Sequence, residues 1–185
     1  MRATGPGQSL LLLLDVVAVL DKQGIEYGVV GALAASVYGT IRATTDADAV
    51  VSATQSKLAG LEKVFRKADL RAKLRRGDSD DPIPALLAIS DQFGNRVDLL
   101  GGFRGLDPEA FERTIAVPFS GTTLRIIGRE DFIAMKCFAG GPLDIADVQE
   151  AIRVADRPID LDLVRRIARR FGRPAADALE SLLAG

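Results

Sequence analysis

An α/β (α+β) fold, a mixed β-sheet flanked by helices and followed by an α-helical C-terminal part, is predicted by three features of this 185-residue chain. Residues 26–51 read strand, glycine turn, short helix, strand. Residues 85–100 and 114–127 each hold two short β-like runs around turn residues, Gln92-Phe93-Gly94-Asn95 and Ser120-Gly121, and so read as hairpins. Beyond Gly128 the apolar residues recur only at helical spacing, broken by Gly and Pro.

Taken in order, residues 1–8 carry glycine and proline and are expected to fray. Residues 10–20 are almost wholly apolar but too short to span a bilayer and interrupted by Asp15, so they predict a buried helix closed by Gly24. Residues 26–30 form a strand, Gly31 the tight turn, and 32–38 a helix stopped by Gly39. The strand at 46–51 is followed by an amphipathic helix at 56–68, with Leu58, Leu61, Val64 and Phe65 on its apolar face. Residues 71–76 are basic and fit an edge strand, and the acidic, proline-bearing stretch 77–84 fits a loop. A short helix is expected at 107–113, then four helices at 129–138, 143–155, 161–171 and 175–183. The length suits one compact unit, divided into residues 1–127 and a helical part at 128–185.

The chemistry concentrates in Thr44-Thr45-Asp46-Ala47-Asp48-Ala49-Val50-Val51. Side chains of a strand alternate, so Asp46 and Asp48 share one face, about 7 Å apart, and Ala47 and Ala49 point to the other. Two carboxylates on a strand entering a core repel one another, and a divalent cation between them is the natural remedy. A D-x-D also punctuates turns. A third acid favours the metal: Asp98 interrupts the apolar run Arg96-Val97-Asp98-Leu99-Leu100, where solvation explains it poorly.

These residues resemble the nucleotidyltransferases of the DNA polymerase β superfamily, whose pattern is a glycine then Gly or Ser after a strand, a helix, a D-x-D or D-x-E strand, and a later strand acid. Gly31 with Ala32, Asp46 with Asp48, and Asp98 take those places, with Ala32 departing from the Gly or Ser. The wording A-x-x-x-Y-G-x-x-R-A-T-x-D-x-D is similar to the small bacterial members that include the AbiEii-type abortive-infection toxins, over residues 26–152. The resemblance implies a nucleotidyltransferase fold. It also implies a metal-dependent enzyme that moves a nucleoside monophosphate from an NTP such as ATP to a hydroxyl or phosphate of RNA, protein or a small molecule. Two Mg²⁺ or Mn²⁺ ions would serve the displacement, held by Asp46, Asp48 and Asp98 as the catalytic acids. Gly31, Ala32, Arg42 and Thr45 would contact the nucleotide. A toxin-antitoxin role, with an antitoxin protein as partner, is one implied purpose; a catalytically silent nucleotide-binding or regulatory module of the same fold is the alternative.

A second constellation lies in the C-terminal part. Lys136 falls four residues after Phe132 on the apolar stripe of its helix, where a snorkelling lysine is the common explanation. Asp144 and Asp147, at i and i+3, share a face of the next helix and sit where first-turn acids are favoured. The E-D-F-I-A-M-K and L-D-I-A-D-V wording is similar to the same group, which implies that Lys136 helps hold the triphosphate and that Asp144 or Asp147 supports it. A structural pair between Lys136 and Asp144 is the other reading.

Composition sets limits. Histidine is absent, which excludes His-built zinc sites and Ser-His-Asp hydrolysis. Cys137 is the sole cysteine, so no intramolecular disulfide forms, a reducing, cytoplasmic setting fits, and the residue reads as a buried filler. A formal charge of −1 argues against a wholly basic nucleic-acid platform, so an RNA would be gripped by a local patch. The basic runs at Arg71, Lys73, Arg75 and Arg76, and at Arg165, Arg166, Arg169, Arg170 and Arg173, read first as solvated faces.

Overall fold

The structure, a computed structural model, describes residues 2–41 and 43–184. Seven strands form one mixed sheet in the order β3-β4-β5-β2-β1-β7-β6. The elements are α1 (Ser9–Lys22), β1 (Tyr27–Val30), α2 (Gly31–Val37), β2 (Asp46–Val51), α3 (Gln55–Lys67), β3 (Arg71–Arg76), β4 (Ala85–Ser90) and β5 (Arg96–Gly101). A 3₁₀ turn at Pro108–Phe111 leads to β6 (Ile115–Phe119) and β7 (Thr122–Ile126). Then come α4 (Arg129–Ala139), α5 (Pro142–Arg153), α6 (Leu161–Arg170) and α7 (Arg173–Ala184). Apart from the expected helix at 107–113, the predicted elements are present within a few residues of their expected bounds.

The hairpins β3–β4, β4–β5 and β6–β7 are antiparallel, as short loops require, whereas β2 runs parallel to β5 and β1 parallel to β7. α1 buries Leu12, Leu13, Val16, Val17 and Leu20. α1 lies on β2 and β5, and α3 lies on β3 and β4. α4 is the hub of the last four helices and packs on α5, α6 and α7. The rings of Phe103 after β5, Phe138 on α4 and Phe171 after α6 meet with centroids 5.2–5.8 Å apart, tying the helical part to the sheet. Among the described residues no helix is long and apolar enough to cross a membrane.

Three local expectations change. The chain start is pinned rather than frayed. Asn95 accepts from the Gln8 amide at 2.6 Å and donates to the Gly5 carbonyl, and the Gln8 side chain accepts from the amides of Thr4 and Gly5. Val64 leaves the apolar face of α3, because only Leu58, Leu61 and Phe65 reach the core and Val64 is 37% exposed. The short helix at 107–113 is a single 3₁₀ turn, started by Asp107, whose carboxylate accepts from the Glu109 amide.

Arg113, after that turn, grips Asp131 on α4 through two hydrogen bonds of 2.8 Å, and Asp131 is fully buried. A fork-on-carboxylate pair of this kind joins the loop to α4, and removing its cation strands a buried charge. Arg113→Met is expected to lower stability by about 3–5 kcal/mol; chemical denaturation of the variant beside wild type measures it.

Candidate functional site

The register of the sheet sets the site. Asp48 pairs with Asp98 across the parallel β2–β5 ladder, and Asp46 pairs with Arg96. Directly opposed residues point to the same face, so the three acids expected from the sequence share one surface of the sheet. Their neighbours on β2, Ala47 and Ala49, point to the other face and are buried, as the alternation requires. Asp98 is 6% exposed, and Asp46 and Asp48 are half-buried.

Electrostatics follow from that crowding. Burial, then the charges of Asp46 and Asp98, push the Asp48 carboxyl up from its ordinary range to about 6, against the pull of Arg96 and Lys136. The cation that answers Asp98 is Arg96. Its Nε donates to Asp98 Oδ1 at 2.9 Å and its Nη2 to Oδ2, with Asp46 and Asp48 adding to the field that holds the guanidinium charged. The sequence reading missed this residue. The signal was present in the i, i+2 spacing of Arg96 and Asp98, which puts both on one strand face.

Gly31 begins α2 with a φ of +65°, and a β-carbon there would lie 2.5 Å from Asp48 Oδ2. Glycine is therefore required twice over, by the backbone conformation and by the carboxylate packed against it. Ala32 follows as the second residue of α2. Thr44 Oγ1 donates to the main-chain oxygen of Asp46 at 2.9 Å, bracing the start of β2. Thr45 is exposed, and its carbonyl accepts from Ser9 Oγ at 2.6 Å. Arg42 lies outside the described residues.

Lys136 does not snorkel. It is 9% exposed, and its ammonium donates to Asp144 Oδ1 at 2.7 Å and lies 2.8 Å from Asp147 Oδ2. The pairing of Lys136 with Asp144 is thus real, and Asp147 joins it. The lysine nevertheless borders the cleft: a cavity of about 260 Å³ between the sheet and α4 is lined by Gly31, Asp48, Lys136 and Asp144 together with apolar residues that include Phe103 and Met135. The contribution of Phe103, from the loop after β5, was not legible in the sequence. Cys137 is buried with its thiol pushed up to about 11 by desolvation, in keeping with a filler.

The acids offer oxygen donors only, the chemistry that hard cations such as Mg²⁺ or Mn²⁺ take. Among the described residues no three carboxylates are arranged to hold an ion as they stand. Arg96 occupies both oxygens of Asp98. Asp46 and Asp48, with the unfavourable charge on Asp48, fit a divalent cation, and at Asp98 a cation would compete or share with Arg96.

Comparison with known proteins follows the geometry. No protein-family model matches the chain, and no curated protein sequence matches it. Solved structures do. An antigenic nucleotidyltransferase-like protein from Paracoccidioides brasiliensis is 17% identical with a TM-score of 0.60, over 98% of this chain and 90% of that one. The antibiotic-resistance factor ANT(2″)-Ia, in complex with adenylyl-2″-tobramycin, is 15% identical with a TM-score of 0.56, over 89% and 96%. The lincosamide antibiotic adenylyltransferase LnuA, lincomycin-bound, is 12% identical with a TM-score of 0.51, over 83% and 100%. At these identities the likeness is one of fold, and the fold is that of the nucleotidyltransferases.

The raised value of Asp48 has a thermodynamic consequence. Its folded-state value lies above the unfolded one, so ionisation opposes folding: stability falls as pH rises from about 4 to about 6, and the cost stands in full above that. Two units correspond to roughly 3 kcal/mol before solvent screening. Asp48→Asn is expected to be more stable than wild type at pH 7 by about 1–3 kcal/mol, with the gap closing below pH 4. Urea denaturation across pH checks it, and added Mn²⁺ at pH 7 should stabilise wild type and not the variant.

Proposed function

We propose that the protein is a metal-dependent nucleotidyltransferase that moves a nucleoside monophosphate from an NTP to an acceptor hydroxyl or phosphate. The observation that carries the reading is the placement of Asp48 opposite Asp98 on adjoining strands, with Gly31 and Lys136 lining the cavity that Asp48 borders. In this reading residues 1–127 form the catalytic core and 128–185 the helical part that closes the cleft, in a cytoplasmic protein. Asp46, Asp48 and Asp98 would hold two Mg²⁺ or Mn²⁺ ions, which when bound neutralise phosphate charge and make the acceptor hydroxyl easier to ionise.

The rest is positioning, which is what phosphoryl-type transfer mainly demands of a protein. The main-chain amides of Gly31 and Ala32 meet the β- and γ-phosphates, and Lys136, held between two carboxylates, turns toward the triphosphate. Thr45, just before β2, supports the nucleotide, and Arg42 is the other residue assigned to it. The acceptor oxygen attacks the α-phosphorus, the bond from that phosphorus to the α–β bridging oxygen breaks in line with it, and pyrophosphate leaves with the electron pair. Asp98 would ease removal of the acceptor's proton. Adenylyl-2″-tobramycin in the ANT(2″)-Ia structure is an adenylylated small molecule, which supports ATP as a donor and a hydroxyl as acceptor for this fold.

The Arg96 clamp on Asp98 favours a second reading, a nucleotide-binding regulatory module in which the guanidinium permanently takes the place of a cation. The A-x-x-x-Y-G-x-x-R-A-T-x-D-x-D wording supports a toxin's use of the chemistry, with an antitoxin partner.

Incubation of the protein with α-labelled NTPs, Mn²⁺ and total RNA, protein or small-molecule extract should yield a labelled product. Asp48→Asn should abolish it, while Asp15→Asn, on α1 and paired with the Arg2 amide, should leave it unchanged. NTP binding without any labelled product selects the silent module.

A further inference from the structure

The basic run of β3 belongs to the acidic face. Across the ladders, Lys73 opposes Ala88, which opposes Asp98, which opposes Asp48. The flanking rows are Arg71–Ser90–Arg96–Asp46 and Arg75–Leu86–Leu100–Val50. Arg71, Lys73 and Arg75 therefore stand on the same side of the sheet as the three acids, about 7 Å apart along β3 and, for Lys73, roughly 10 Å from Asp98 across two strand spacings. The floor between them, Leu86, Ala88 and Ser90, is of small or modest side chains and only half-buried. α3 packs on β3 and β4 from the other face, where Ala72, Leu87 and Ile89 are buried.

Among the described residues no acid neutralises these cations. Arg71, Lys73 and Arg75 are exposed, and among the described residues none of them forms an ion pair. The acids of the next loop are engaged elsewhere: Asp78 accepts from the amides of Asp80 and Asp81, and Asp81 from that of Ile83. Nor is β3 open to a peptide adding as an eighth strand. Its outward Ala72 carbonyl accepts from Arg66 Nε at 2.9 Å, and its Leu74 amide donates to Glu62 Oε1 at 3.2 Å, so α3 side chains already cap the edge.

We propose that this row, Arg71, Lys73 and Arg75, is the backbone-tracking surface of a single-stranded nucleic acid whose terminal hydroxyl reaches the Asp48–Asp98 pair. The proposal rests on the transferase reading and names its acceptor. Cations in a row along an extended strand match the successive phosphates of an extended chain, whereas a compact anion would use only one of them. The small floor leaves room for sugars and bases to lie over the sheet on the way to the acids. An overall charge of −1 fits a local grip of this kind in place of a basic surface throughout.

The test is fluorescence anisotropy of a 5′-labelled twelve-nucleotide oligouridylate with the full chain, without NTP, over a range of salt. Three phosphate contacts predict a slope of log K against log salt of roughly −2, and each of Arg71→Ser, Lys73→Ser and Arg75→Ser should reduce it by roughly 0.7. The triple variant should bind about tenfold or more weakly at low salt, with unchanged thermal unfolding and unchanged binding of NTP with Mn²⁺. Absence of binding by wild type, unaltered binding by the triple variant, or equal displacement of the oligonucleotide by polyglutamate overturns the proposal. Oligonucleotide binding lost in the triple variant, in a protein that binds no NTP, supports this surface and sinks the transferase reading instead.

Discussion

The pairing of Asp48 with Asp98 across β2 and β5 is the constraint to which the surrounding structure answers. Two strands that run parallel, each with an acid at the matched position, concentrate charge in a sheet whose other face is apolar. Three groups accommodate it. Arg96 neutralises Asp98, Gly31 withholds a β-carbon so that the Asp48 carboxylate has room, and Lys136 contributes positive potential from α4. Burial of Asp48, and then the charges of Asp46 and Asp98, still leave its carboxyl raised, a cost that a fold shaped only for stability would have removed.

Lys136 illustrates how a structural and a functional group can be one residue. Its ammonium is held by Asp144 and Asp147 across the α4–α5 junction, so it helps join two helices. The same pairing holds it in one place at the border of the cavity beside Asp48. At 9% exposure the ammonium has little water to solvate it, and two carboxylates take the place of that water and fix its direction. The helical part thus contributes to the site through a preset charge, and the aromatic contacts of Phe103, Phe138 and Phe171 hold that part in position against the sheet.

The opposite edge of the sheet shows the reverse economy. Arg66 and Glu62 protect the main-chain groups of β3, yet among the described residues no ion pair neutralises the three cations on its face. An edge guarded against strand addition but left strongly charged on one side differs from an ordinary solvated strand in that its charges align, through Ala88 and Ser90, with the acids.

The sequence by itself determined the elements and the identity of the acids. Periodicity of two put Asp46 and Asp48 on one face, glycine marked the turn at Gly31, and helical spacing marked everything after Gly128, because these signals are local and survive without knowledge of neighbours. Lys136 was legible as out of pattern on its stripe. Only the tertiary structure decided what those residues meet. Strand order and register are long-range choices, and no local signal says that Asp48 would oppose Asp98, that Arg96 would take the oxygens of Asp98, or that Lys73 would share their face. The pinned chain start has the same cause, since Gln8 and Asn95 meet across 87 residues. Charge compensation is a property of assembled neighbours, so the acids could be read along the chain and their counter-charges could not.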